Sequence, residues 1–152
     1  MNLNELIPEE RIASSVTSGS KKRVLESLSN LIVTSEGSLA ETEVFESFLH
    51  RERLGSTAMG HGVAIPHGRM KSLDHAVGAL LRLPAGVDYD ALDGEPVDLV
   101  FGLLVPEDAG DEYLQILSGL AQKLRNDEFC QRIRSARDSK EIFQVLDSEF
   151  TN

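Results

Sequence analysis

The sequence predicts an α/β fold in which a mixed sheet carries helices on both faces. Two runs of strand length, residues 76–83 and 97–105, are almost unbroken stretches of apolar side chains. Such runs are typical of strands that are covered on both faces, whereas half-exposed strands alternate apolar and polar residues. The segment between them contains Pro84 and an Asp93-Gly94 turn signal but no helical pattern, so we expect an antiparallel pairing in the sheet.

Two helices are predicted before these strands. The first covers residues 20–34, where apolar side chains recur at helical spacing and Ser20 is placed to cap the N-terminus. In the second, Ser38 and Glu41 have the spacing of a capping box, and the helix is expected to run to about Arg53.

Shorter strands are predicted around the two long ones. Residues 63–65 form an apolar strand that should stop pairing at Pro66, because proline lacks a backbone donor. Gly68 then lets the chain turn sharply. Residues 86–90 predict another short strand.

Three helices are predicted after the last strand, over residues 110–125, 127–135 and 139–147. Cys130, the only cysteine, lies on the apolar face of the middle one. We interpret it as a packed core thiol rather than a reactive one, since a single cysteine cannot form an internal disulfide.

Length and composition predict one domain, residues 1–152, of an ordinary globular class. The formal net charge of −10 argues against binding to a phosphate backbone, so nucleic acid is not an expected partner. The longest apolar runs fall short of the roughly 20 residues that span a bilayer, and no secretory leader is apparent. We therefore expect a cytoplasmic protein with no direct membrane insertion.

Functional chemistry is expected in residues 60–70, G-H-G-V-A-I-P-H-G-R-M, where a strand ends on proline, histidine and glycine. These glycines would let an incoming group approach backbone N–H donors. Upstream, Arg51 supplies a permanent charge and Ser56 and Thr57 supply hydroxyl donors, which suit a phosphate. A neutral imidazole, such as that of His67, is a competent nucleophile toward phosphorus.

Two plainer interpretations of His67 remain open on these features. A single histidine after a proline is usually a loop residue that caps a carbonyl. Alternatively, His61, His67 and His75 with Asp74 have loop spacing compatible with a metal site. No metal or cofactor is expected, because the sequence has no H-E-x-x-H motif, no cysteine pairs and no Walker A loop.

The chain resembles a known family through R-E-R-L-G-S-T at residues 51–57 followed by G-H-G-V-A-I-P-H-G-R at 60–69. The similarity continues through S-K-K-R at 20–23, D-A-L-D-G-E-P-V-D-L-V-F at 90–101 and L-L-V-P at 103–106. These motifs are similar to those of the nitrogen-regulatory enzyme IIA proteins, IIA(Ntr). That group belongs to the fructose and mannitol class of IIA (EIIA) domains in the bacterial phosphotransferase system (PTS).

The resemblance implies a five-stranded mixed sheet flanked by helices and a role in a phosphoryl relay. His67 would accept the phosphoryl group through Nε2 from a phosphohistidine on a small carrier of the HPr or NPr type. Arg51 matches the family's arginine beside the site, and Ser56, Thr57 and the backbone around Gly68 would be the remaining donors to the phosphoryl oxygens. Regulatory targets, such as potassium-uptake or sensor proteins, would respond to the phosphorylation state.

One position departs from the family pattern. The family usually has a second histidine near the start of the helix that follows L-L-V-P, and this chain has Tyr113 there. Tyrosine can donate one hydrogen bond but stays uncharged near neutrality, so it would support a phosphohistidine less strongly. Two functions are therefore open: a phosphohistidine relay protein, and a binding regulator that keeps the shape of the site with weakened phosphotransfer.

Overall fold

The computed structural model describes residues 3–148, which form a mixed six-stranded sheet between helices. The strands are β1 (Ile12–Ala13), β2 (Ala58–Gly60), β3 (Val63–Ala64), β4 (His67–Met70), β5 (Val77–Val87) and β6 (Val97–Pro106). The helices are α1 (Leu3–Leu6), α2 (Lys21–Ser35), α3 (Glu41–Arg53), α4 (Asp111–Leu124), α5 (Asp127–Ser135) and α6 (Ser139–Ser148), with a 3-10 turn at Glu9–Arg11.

Strand β6 is the centre of the sheet. It pairs antiparallel with β5, as predicted, and parallel with both β3 and β4, which follow one another along its other side. Strand β1 extends the sheet beside β5, and β2 extends it beside β3.

The number of strands differs from the five expected. Pro66 divides residues 63–70 into β3 and β4, so His67 begins a strand instead of lying in a loop. The prediction of a separate short strand at residues 86–90 is wrong. Strand β5 continues to Val87 and shifts its register against β6 after Arg82.

Helices cover both faces of the sheet, as predicted, because side chains alternate along each strand. Leu99, Phe101 and Leu103 of β6 lie in a core that includes residues of α1, α4, α5 and α6. Val100 and Leu104 lie in the opposite core, with α2 and α3. Among the described helices, none combines the length and apolar character needed to cross a membrane.

The helix caps confirm one prediction and correct another. Ser20 Oγ accepts a hydrogen bond from Arg23 N–H at 3.2 Å, as expected of an N-cap. The capping box at Ser38 is wrong: α3 begins after Ala40, which makes no side-chain cap. Glu41 instead accepts a hydrogen bond from Asn30 of α2 at 2.9 Å, so its carboxylate joins two helices.

Arg82 of β5 forms hydrogen bonds that connect the sheet to the segments that flank it. Its Nε donates to the carbonyl of Ser14 at 2.8 Å, and its Nη1 donates to the carbonyls of Ile133 (3.0 Å) and Ala136. These carbonyls lie after β1 and at the end of α5, so one side chain satisfies acceptors from two distant parts of the chain.

Candidate functional site

His67 lines a cavity of about 650 Å³ that opens between α3, β4 and the start of α4. Its side chain is largely sheltered, and the whole residue is 8% exposed. Strand β4 holds it in place by pairing with β6, so that His67 lies opposite Leu103 at the centre of the sheet. The ring is therefore mounted on a rigid element.

The two ring nitrogens of His67 have different partners. Nδ1 lies 2.7 Å from the carbonyl oxygen of Ile65. Since a carbonyl only accepts, Nδ1 carries the proton and Nε2 keeps its lone pair. Arg51 Nε–H donates to Nε2 at 3.2 Å.

Burial lowers the pKa of His67 below its ordinary value. The hydrogen bond to Ile65 opposes this effect on the pKa, while the charge of Arg51 adds to it. The ring is consequently neutral near pH 7, with its basic nitrogen at Nε2.

Arg51 lies in the last turn of α3 and also lines the cavity. Its Nη1 donates to the carbonyl of Gly55 at 2.9 Å, within the turn that follows the helix. The guanidinium is thus held at two points, the carbonyl of Gly55 and Nε2 of His67.

Gly68 lets α3 approach β4 closely, which is a different role from the sharp turn expected. A Cβ at this position would overlap Ser47 Oγ and lie 3.1 Å from the Ser47 carbonyl oxygen. Its backbone is also committed. The Pro66 carbonyl accepts from Leu103 of β6 and the Met70 carbonyl accepts from Glu107, directly after β6, and the alternation of a parallel strand turns the Gly68 N–H the same way.

Tyr113 of α4 lies beside His67, with the ring centroids 6.0 Å apart. Arg69, two residues after His67 and hence on the same face of β4, places its guanidinium 4.6 Å from the centre of the Tyr113 ring. Arg69 Nη1 also donates to the carbonyls of Glu107 and Ala109, which fixes the segment before α4. Burial raises the pKa of Tyr113, so the phenol stays neutral beside His67.

Comparison with known proteins identifies the family. Residues 5–149 match the family described as "Phosphoenolpyruvate-dependent sugar phosphotransferase system, EIIA 2". The chain belongs to this EIIA 2 family.

Named relatives and solved structures agree with this assignment. The nitrogen regulatory protein of Pseudomonas aeruginosa is 41% identical over 146 residues, covering 96% of this chain and 95% of that protein. The crystal structure of nitrogen regulatory protein IIA-Ntr from Neisseria meningitidis is 41% identical, with a TM-score of 0.88 over 95% of this chain and 98% of that one. IIA mannitol from Escherichia coli, at 22% identity and a TM-score of 0.74 over 90% and 96% of the two chains, shares the fold. The resemblance to IIA(Ntr) is confirmed.

Within this EIIA chain, the hydroxyls of Ser56 and Thr57 do not reach the cavity as the sequence suggested. Thr57 Oγ1 donates to Glu52 Oε2 at 2.6 Å, and Ser56 Oγ donates to the carbonyl of Tyr89 at 2.8 Å. Neither residue lines the cavity around His67. Both hydroxyls stabilise the turn after α3 instead.

The other histidines of the EIIA chain lie apart from this cavity or at its rim. His75 Nδ1 lies 2.5 Å from Asp74 Oδ1, while His61 donates its backbone N–H to Asp93 Oδ2 at 2.9 Å. Within residues 3–148, no three side chains of His, Cys, Asp or Glu are grouped as metal ligands.

Sequence reasoning missed Arg69 and Glu52. Arg69 was overlooked because residues 67–70 were expected to turn, whereas the alternation of a strand would have put it on the face of His67. Glu52 follows Arg51 directly, and its buried position was not foreseen because its partners Lys21 and Tyr89 are remote in sequence.

Proposed function

We propose that this EIIA protein is a phosphoryl-relay regulator that accepts a phosphoryl group on His67 Nε2 from a phosphohistidine of an NPr- or HPr-type carrier. The observation that carries the proposal is that the two ring nitrogens of His67 have different hydrogen-bond partners. Nδ1–H is fixed on the Ile65 carbonyl and the Nε2 lone pair faces Arg51, in an open cavity of about 650 Å³.

The chemistry balances without a cofactor or a metal. The lone pair of Nε2 forms a bond to phosphorus while the N–P bond of the carrier breaks and its electron pair returns to the carrier's ring. No proton has to leave Nε2. The positive charge that develops on the His67 ring is stabilised through Nδ1–H by the Ile65 carbonyl.

Arg51 then changes its hydrogen-bond partner. Its Nε–H donates to the lone pair of Nε2 in the free protein, and this lone pair is consumed when the bond to phosphorus forms. The same N–H becomes available to a phosphoryl oxygen at that moment. Arg51 thus favours the phosphorylated state without having to move far.

The charge pattern of the cavity favours a protein donor. Arg51, Arg69 and Lys71 are accompanied by Glu43 and Glu46 on α3. The cations attract the phosphoryl group, and the carboxylates suit a carrier that brings basic side chains together with it. A protein carrier is therefore a better donor than a small phosphate ester.

The output is regulation of nitrogen- and potassium-related targets, such as potassium-uptake or sensor proteins, by the phosphorylation state. Support comes from the similarity over nearly the whole chain to proteins named nitrogen regulatory protein. In this proposal residues 1–152 act as one cytoplasmic EIIA domain, with no nucleic-acid partner and no membrane insertion.

The proposal is tested by incubating the protein with phosphoenolpyruvate, enzyme I and a carrier, followed by intact mass spectrometry. We expect the mass of one phosphoryl group to be added, in an acid-labile and alkali-stable linkage, and His67→Ala to abolish it. His75→Ala, which removes an exposed histidine outside the cavity, is the matched control and should be labelled normally. A wild-type protein that takes no label would contradict the relay and favour the non-transferring binding regulator, with Tyr113 as the weakening substitution.

A further inference from the structure

We infer that Glu52 is a positioning residue that holds Arg51 against His67 through the turn formed by residues 54–57. The effect of Glu52 on the rate of phosphoryl transfer rests on the proposed function. The effect of Glu52 on the position of Arg51 does not rest on it, because it concerns the unphosphorylated protein.

The Glu52 carboxylate is buried and surrounded by donors. Only 7% of the residue is exposed. Oε1 accepts from Thr57 N–H at 2.8 Å and lies 3.1 Å from Lys21 Nζ. Oε2 accepts from Thr57 Oγ1 at 2.6 Å and from Tyr89 OH at 3.4 Å.

These contacts fix the turn that leaves α3. Thr57 is bound through both its backbone and its side chain, so the end of the turn cannot shift without breaking two hydrogen bonds to a charged group. Inside the turn, Gly55 adopts a φ of +146°, which other residues rarely adopt. This conformation directs the Gly55 carbonyl toward Arg51 Nη1, 2.9 Å away.

This turn sets the position of the Arg51 guanidinium. Arg51 is held by the Gly55 carbonyl on one side and contacts His67 Nε2 on the other. If the turn relaxes, the first anchor is lost, and the second is a single hydrogen bond of 3.2 Å to a neutral ring. Glu52 therefore acts on His67 through the turn and Arg51, without touching the phosphoryl group.

The buried carboxylate requires compensation, which arrives from α2. Lys21 pairs with Glu52 and places its Nζ 4.8 Å from the centre of the Tyr89 ring. A purely structural ion pair would stabilise the fold equally well wherever Arg51 pointed. The tests below separate these two roles.

The first test is a double-mutant cycle on the rate of phosphoryl acceptance, with Glu52→Gln, Arg51→Ala and the double variant. Glu52→Gln should slow transfer by about 10-fold or more, since a shift of about 1 Å at a reacting centre costs on the order of 100-fold. In the Arg51→Ala background the same substitution should change the rate by less than about 2-fold, because its target is absent. Equal effects in both backgrounds would overturn the inference. Glu36→Gln, which removes a salt bridge to the buried Arg11, is the matched control and should leave the rate unchanged.

The second test uses Thr57 and does not depend on Glu52→Gln folding well. Thr57→Ser keeps both the N–H and the hydroxyl donor to Glu52, whereas Thr57→Val keeps the shape and loses the hydroxyl. We expect wild-type transfer for the serine variant and slower transfer for the valine variant. Equal rates for the two variants would contradict the proposed role of the Glu52 carboxylate.

The third test needs no phosphoryl transfer. The charge of Glu52 raises the pKa of His67 and the charge of Arg51 lowers it, with Arg51 the larger influence. Removing the Glu52 charge alone would lower the pKa of His67, whereas displacement of Arg51 would raise it. In an NMR titration of the unphosphorylated proteins, Glu52→Gln should lower the His67 pKa in the Arg51→Ala background, where only the charge is lost, and should lower it less or raise it when Arg51 is present; equal shifts in the two backgrounds would overturn the inference. If wild type takes no label, the proposed function fails and this titration still decides the role of Glu52.

Discussion

The Ile65 carbonyl determines which nitrogen of His67 keeps its lone pair. It accepts a hydrogen bond from Nδ1–H at 2.7 Å, so the lone pair is left on Nε2, beside Arg51. A histidine held in this way needs no general base, because the attacking atom is already deprotonated. The backbone of the residue two positions earlier thus fixes the tautomer of the His67 ring.

The pKa values of His67 and His75 should lie on opposite sides of the ordinary histidine value of 6.5. Burial lowers the pKa of His67, and the hydrogen bond to Asp74 raises that of His75. An NMR titration of the ring resonances should place the midpoint of His67 below 6.5 and that of His75 above it. A His67 midpoint at or above 6.5 would contradict the environment described here.

The same shift makes stability depend on pH. Below pH 6.5 the unfolded chain binds a proton at His67 that the folded chain does not, so the free energy of unfolding falls with pH from 6.5 down to the folded pKa. His75 has the opposite sign: its stabilising contribution is present below 6.5 and is lost as the pH rises through its raised pKa. Urea unfolding between pH 7 and 5 should show a smaller loss for His67→Gln than for wild type, and a larger loss for His75→Gln.

The sequence indicated His67 and Arg51 because both lie in a specific motif, and the structure brings them into contact. It misassigned the hydroxyls of Ser56 and Thr57 because a motif gives proximity along the chain but no direction. Thr57 turns to Glu52, and Ser56 to the carbonyl of Tyr89, 33 residues away in sequence. Each hydroxyl bonds to the acceptor that the folded chain brings nearest. Local sequence patterns do not connect these acceptors with the hydroxyls.

At the level of elements, α3 and β4 bring the cation and the imidazole together. They pack closely where Gly68 faces Ser47, and Ser47 Oγ donates to the Arg69 carbonyl at 3.1 Å. Because Arg51 lies one turn beyond Ser47 on the same helix, any displacement of α3 from β4 also separates Arg51 from His67.

Gly68→Ala should therefore weaken both stability and transfer. The added methyl group overlaps Ser47, and we expect a loss of about 1 to 3 kcal/mol in the free energy of unfolding. Phosphoryl acceptance should slow as well. Gly37→Ala is the matched control, because a Cβ there meets nothing within 4 Å, and it should cost no stability. Urea unfolding and the labelling rate are the measurements; a Gly68→Ala variant as stable and fast as wild type would contradict close packing at this point.

The sequence predicted the long helices and β5 and β6 well, because each shows many repeats of its own period. It could not predict β1 or β2, which have only two and three residues and exist through pairing with distant partners. The sequence predicted that strand pairing stops at Pro66, but it did not predict that pairing resumes at His67. Resumption depends on β6 lying alongside, which is a tertiary contact.

For the molecule as a whole, Arg82 connects the sheet to both the N-terminal segment and the C-terminal helices. Arg82→Ala should lower the free energy of unfolding by about 2 kcal/mol, because it removes the side-chain donor to the half-buried carbonyls of Ser14 and Ala136 and leaves the carbonyl of Ile133 to the Ala136 N–H at 3.4 Å. Arg23→Ala removes an exposed arginine from a surface pair on α2 and should change stability by less than about 0.5 kcal/mol. Similar losses for the two variants in urea unfolding would contradict the role given to Arg82.

The burial of His67 has a consequence for any partner that approaches it. With 8% of the residue exposed, the ring is accessible only through the small part of its surface that faces the cavity of about 650 Å³. In the proposed relay, the donor brings its phosphorus into this cavity, between α3 and the start of α4. The limited exposure of the ring thereby restricts transfer to partners whose surface fits the cavity.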